Sequence, residues 1–242
     1  MGPTAAVLSP FRMAPTGVVL SLSLLALVCG LLCIRAEVRG QRRALYLSKP
    51  ATMLCVIAIA SLGSGSPADP YTRAILVGLL FSLAGDVWLM LPSDRFSAGL
   101  ASFFVAHLCY VTAFAGPAGP RGGLPGLLPF VAAACGMLVL LLPHVRGGAL
   151  RVAVVAYVAA IAAMGWQATE RALDLADPDS RLAAVGAALF LCSDSALAWN
   201  RFRRPFAGAP ALVLSTYFGG QWLIALSTGA GEPLVAALGL AP

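Results

Sequence analysis

Charge is scarce in this sequence: Asp, Glu, Lys and Arg together make up only 11% of its 242 residues, and histidine occurs twice. Soluble domains carry roughly 25% charged residues, so a water-facing shell cannot be assembled from this chain. The six cysteines (Cys29, Cys33, Cys55, Cys109, Cys135 and Cys192) lack the paired spacing of a zinc site or of a secreted disulfide framework. All lie in apolar stretches, and buried, reduced thiols are expected. Also missing are a Ser-His-Asp order, a G-x-S-x-G elbow, an H-E-x-x-H pair and a Gly-rich phosphate loop. Their absence argues against a serine lipase, a zinc hydrolase and a nucleotide enzyme. No metal and no cofactor is expected.

What is present is hydrophobicity, at 60% of residues and a mean hydropathy of +0.88. A membrane-spanning helix needs about 20 mainly apolar residues. Eight stretches meet or approach that length, at about 17–34, 44–62, 71–91, 97–116, 124–142, 149–169, 181–199 and 209–228. The expected fold is an all-α integral membrane bundle of about eight helices spanning residues 17–228, with tails at 1–16 and 229–242. The first run is followed by the basic stretch 35–43 without a small-residue cleavage pattern, so it reads as a retained span rather than a signal peptide. The formal charge of +6 does not imply a nucleic-acid partner, because the arginines sit between hydrophobic runs as topology markers. Ten of them fall in the first, third, fifth and seventh connections, against five on the other side, including Arg12. Those odd connections are expected in the cytosol.

Two aspartates, Asp86 and Asp194, lie inside apolar runs. An acid at the bilayer centre is disfavoured by at least ~2.5–3.5 kcal/mol, so it is retained for a task and faces protein or water. Both lie about five residues before the cytosolic end of a span, which sets them at one depth. Their surroundings share the pattern L-x-small-D-x-x-L over residues 83–89 and 191–197, and an Arg-Phe pair follows each. Phe104-x-x-His107 and Phe218-x-x-Gln221 extend the similarity, so two parallel four-helix halves are expected to bring the aspartates face to face. Lys49 reaches the same layer, either snorkelling to the surface or pairing with a carboxylate. His107, Asn200, Tyr217 and Gln221 are further polar candidates, and the hydroxyls of Ser193 and Ser195 flank Asp194. In a dry cavity, desolvation and mutual repulsion favour one protonated and one ionised carboxyl, an acid and a base in one pocket. The Ala84-Gly85-Asp86 triplet lacks the first glycine of an intramembrane aspartyl protease G-x-G-D motif, where Leu83 stands.

The stretches GLLFSLAGDVWLMLP (78–92), continuing through Phe96 and Gly99 to His107, and LFLCSDSALAWNRF (189–202) resemble the two signatures of the lysoplasmalogenase (YhhN-like) membrane family. Lys49-Pro50 and residues 217–221 fit as well, so the resemblance covers roughly 45–228. It implies hydrolysis of the vinyl-ether bond of lysoplasmalogens, the 1-alkenyl lysophospholipids, to a fatty aldehyde and glycerophosphocholine or glycerophosphoethanolamine. Asp86 and Asp194 would divide the acid and base roles, and Lys49 and His107 would contact phosphate or orient a carboxylate. The implied partners are a lysophospholipid substrate and membrane lipids, with a homodimer left open, and the implied address is the endoplasmic reticulum membrane. The rival reading is a proton-coupled membrane transporter, since intramembrane acids also relay protons.

Overall fold

A computed structural model describes residues 16–63, 69–93 and 95–231. Arg12, most of the N-terminal tail and residues 232–242 lie outside them. The described residues form eight long helices: α1 (Thr16–Val38), α2 (Arg42–Ser61), α3 (Pro70–Met90), α4 (Phe96–Ala115), α5 (Leu124–Leu141), α6 (Gly148–Leu175), α7 (Pro178–Ala198) and α8 (Ala209–Leu226). All eight are long and apolar enough to cross a membrane. The expected eight-span bundle is therefore present. α1 runs four residues further than the apolar run suggests and α6 six, because a helix continues past the hydrocarbon wherever its backbone can still pair.

Helices α2, α3, α4, α6, α7 and α8 neighbour one another in that order, and α8 returns to α2 to close a ring. α1 packs outside against α2 and α8, and α5 packs outside against α6. The pattern is an internal duplication, with α2–α3–α4 standing to α6 as α6–α7–α8 stands to α2.

Local chemistry fixes the register of the duplication. Asp69 caps α3 by accepting the backbone N–H of Thr72 at 2.9 Å, with Pro70 in the first turn. Asp177 caps α7 by accepting that of Ser180 at 2.7 Å, with Pro178 in the first turn. A side-chain oxygen satisfies an orphan N–H there, and proline supplies φ without needing its own donor. Asp86 follows its cap by 17 residues and Asp194 follows its own by 17, so each carboxyl lies roughly 25 Å along its helix at 1.5 Å per residue.

Close helix approach depends on small residues, as membrane packing requires. A Cβ on Gly186 of α7 would lie 2.8 Å from the Gly220 carbonyl oxygen of α8, and one on Gly220 would lie 2.7 Å from that of Gly186. In the first half, Gly78 lies under the Tyr110 ring in the same way. Tyr110 and Gly220 are therefore equivalent, 110 residues apart. His107 then corresponds to Tyr217 rather than to Gln221, the pairing that the Phe-x-x repeat implies. The offset between the halves grows from 108 residues at the aspartates to 110 here, in line with a connection between α7 and α8 that is longer than the one between α3 and α4.

The cysteines are unpaired among the described residues. Cys33 and Cys55 are buried, but Cys135 and Cys192 lie on the outer surface of the bundle, contrary to the expectation that all are interior. An apolar run cannot by itself tell a protein-facing side chain from a lipid-facing one.

Candidate active site

Lys49 is the only lysine in the chain, and it does not snorkel. Its Nζ lies 2.9 Å from Asp86 Oδ1, with the two side chains 11% and 2% exposed. The phenol of Tyr217 donates to Asp86 Oδ2 at 2.6 Å. Asp86 thus has an ammonium from α2 and a hydroxyl from α8. A charge this deep persists only with such a partner and with hydrogen bonds for its remaining lone pairs.

Asp194 has a different environment. Tyr157 of α6 donates a hydrogen bond to its Oδ2, and His107 Nε2 of α4 stands 3.6 Å from the same oxygen. His107 is fully buried, with ring centroids 5.0 Å from Tyr157 and 4.7 Å from Phe190. Its Nδ1 is 2.6 Å from the Phe103 carbonyl oxygen. A carbonyl can only accept, so Nδ1 carries a hydrogen.

Both aspartates line one cavity of about 560 Å³. Lys49 and Tyr217 share its walls, and its mouth is formed by Gln41, Arg42, Pro92, Arg95 and Arg201, all from the odd connections or the chain next to them. Arg201 stacks over the Phe96 ring at 4.8 Å. Against this cavity lies an apolar chamber of about 250 Å³ between α4, α5, α6 and α7, lined by Phe130, Ala134, Met137, Ile161 and Ala162 among others. Leu89, Phe96, Phe103, Asp194 and Leu197 belong to both. Asp194 therefore stands where the polar space meets the apolar one.

Not every candidate reaches the aspartates. Ser193 lines the cavity, but its hydroxyl donates to the Val213 carbonyl at 2.9 Å and ties α7 to α8. Asn200 also lines it, while its Oδ1 accepts the Phe206 N–H at 3.2 Å and braces the turn into α8. Gln221 lies outside the cavity lining, with its Oε1 accepting from Tyr110 at 2.8 Å. Ser195 borders the apolar chamber. Tyr157 escaped the sequence reading because a tyrosine in an apolar helix looks like core. The signal was the repeat, since Tyr157 follows Lys49 by 108 residues, the interval between the two aspartates.

Fold and site together define a multi-pass integral membrane protein with two enclosed carboxyls at the junction of a polar cavity and an apolar chamber. The model of the YhhN family matches residues 44–228, and the chain belongs to that family. It is similar to human "Lysoplasmalogenase TMEM86A", 39% identical over 166 residues, which cover 66% of this chain and 67% of the human one. Human "Lysoplasmalogenase TMEM86B" is 37% identical over 163 residues, 67% of this chain and 66% of the relative. "Uncharacterized membrane protein YhhN" of Escherichia coli O157:H7 is 29% identical over 196 residues, 81% of this chain and 92% of the relative. The chain thus matches about two thirds of the length of the human proteins. No solved structure matches it.

Proposed function

We propose that this protein is a lysoplasmalogenase, an ether hydrolase that releases a fatty aldehyde and a glycerophospho-base from a 1-alkenyl lysophospholipid. Its similarity to the human lysoplasmalogenases supports the activity. The observation that carries the site is the pair of aspartates on one cavity, one held by an ammonium and a phenol and the other by a phenol with an imidazole nearby. Vinyl ethers are cleaved by protonation of the carbon beta to oxygen, followed by capture of the oxocarbenium ion by water. One acid and one carboxylate are the groups this needs.

The two spaces accommodate the two ends of such a lipid. The alkenyl chain enters the apolar chamber, and the glycerophospho-base lies in the polar cavity with its phosphate towards Arg42, Arg95 and Arg201. The mouth faces the cytosol, where the arginine excess of the odd connections belongs. The address in the endoplasmic reticulum membrane follows the family resemblance, and co-fractionation with membranes of that compartment tests it.

The decisive experiment incubates the purified protein in detergent with a lysoplasmalogen and measures free aldehyde and glycerophospho-base. Equal amounts of both are expected, and none in either Asp86→Asn or Asp194→Asn. Detergent removes the two compartments that a transporter needs, so turnover there separates hydrolysis from transport. Intact substrate with correctly folded protein, or full activity in both variants, overturns the proposal.

A further inference from the structure

The duplication sets Asp86 and Asp194 on equivalent positions and then surrounds them with different residues. Where α2 presents Lys49 to Asp86, α6 presents Tyr157 to Asp194. Where α8 presents Tyr217 to Asp86, α4 presents His107 to Asp194. The first carboxyl receives a full positive charge 2.9 Å away, which stabilises it as a carboxylate. The second faces two groups that are neutral in their ordinary forms.

The geometry around His107 indicates where the hydrogen lies. Because Nδ1 donates to Phe103, a neutral ring turns the lone pair of Nε2 towards Asp194 Oδ2, and Nε2 has no hydrogen-bond partner among the described residues. A lone pair facing a carboxyl oxygen is repelled by a carboxylate and suits the neutral acid, and at 3.6 Å, longer than a hydrogen bond, His107 gives Asp194 neither a cation nor a donor. An imidazolium here would be a buried charge held 3.6 Å from its counter-ion, beyond the hydrogen-bond reach that a buried ion pair requires. Position agrees independently, since Asp194 and not Asp86 also borders the apolar chamber. The carbon to be protonated lies on the chain side of the ether oxygen.

We infer that Asp194 is the proton donor and Asp86 the carboxylate that activates water, with Tyr157 holding Asp194 through its Oδ2 beside an uncharged His107, and Lys49 and Tyr217 holding Asp86. The catalytic part rests on the lysoplasmalogenase reading, whereas the protonation of the two resting carboxyls does not. In the reaction the alkene π pair takes the proton of Asp194 onto the carbon beta to oxygen, leaving an oxocarbenium ion and an Asp194 carboxylate. Water adds through its oxygen to the adjacent carbon and gives a proton to Asp86, forming a hemiacetal. The bond to the glycerol oxygen then breaks with its electron pair, the glycerol oxygen takes the proton from Asp86, and the hemiacetal hydroxyl returns its proton to Asp194. The products are aldehyde and alcohol, and both aspartates are restored.

Infrared spectroscopy of the purified protein in detergent at neutral pH tests the assignment without substrate. The carbonyl stretch of a protonated carboxyl, shifted in heavy water, is expected in the wild type. It should be lost in Asp194→Asn and kept in Asp86→Asn. Tyr157→Phe, which removes a single hydroxyl, should displace the band, and Tyr217→Phe should leave it in place. Loss in Asp86→Asn with retention in Asp194→Asn overturns the assignment, as does absence of the band from the wild type. A second arm uses formate, a small carboxylate. Asp86→Ala should lose on the order of 10²–10⁴-fold in kcat and recover aldehyde release when formate is added, whereas Asp194→Ala should not recover. Rescue of Asp194→Ala alone also overturns it. If the infrared pattern holds and lysoplasmalogen stays intact, the activity reading fails while the proton assignment stands.

Discussion

Lys49 shows at the scale of one residue how a membrane interior makes a polar side chain conditional on its partner. With Asp86 1% exposed, removing the ammonium leaves an unpaired charge in the bundle. Lys49→Met should therefore destabilise the protein by about 3–5 kcal/mol, read as a lower unfolding temperature in detergent. Adding Asp86→Asn to the same chain removes the orphaned charge. The double variant should regain most of that stability and remain inactive; continued instability would show that Lys49 acts through packing alone. Gln221 is the contrasting case. It pairs with Tyr110 away from the cavity, so Gln221→Leu should change thermal stability and leave the KM for a lysoplasmalogen unchanged.

At the scale of the helix, two devices place the carboxyls. The Asp-Pro starts of α3 and α7 set where each helix begins, and so how deep its aspartate lies. Asp69→Ala or Asp177→Ala should each lower stability by ~1 kcal/mol in unfolding measurements. The second device is the glycine contact. Gly186→Ala sets a methyl 2.8 Å from a backbone oxygen that cannot move aside, and α7 must part from α8. A loss of about 1–3 kcal/mol and reduced activity are expected, because α7 carries Asp194. Gly136 of α5 has nothing within 4 Å of its would-be Cβ, so Gly136→Ala is the control and should gain about 0.5–1 kcal/mol from helix propensity.

At the scale of the whole molecule, the ring of six helices leaves a polar cavity open at one end and an apolar chamber beside it. Ala162→Phe narrows that chamber and should shift preference towards shorter alkenyl chains, seen as a higher KM for long-chain substrates with kcat for short ones retained. The mouth gives a test of orientation. A cysteine placed at the exposed Gln41, in a background where the exposed Cys135 and Cys192 are serine, should react with a membrane-impermeant thiol reagent only from the cytosolic face.

The eight spans, the two acids at one depth and the membrane class were all legible in the sequence, because the bilayer imposes a length of apolar chain and disfavours every buried charge within it. Repetition was legible too, though only around the aspartates, where chemistry restricts the letters. Which side chain meets which acid was decided by tertiary structure. Tyr157 approaches Asp194 because α6 and α7 neighbour one another in the ring, and Gln221 misses both acids because it lies one turn beyond Tyr217 on α8, where it meets Tyr110 instead. Periodicity gives no sign of either fact, since in a lipid-bathed bundle the apolar pattern runs around the whole helix and leaves its inward face to the few small and polar residues that can only pack against a partner.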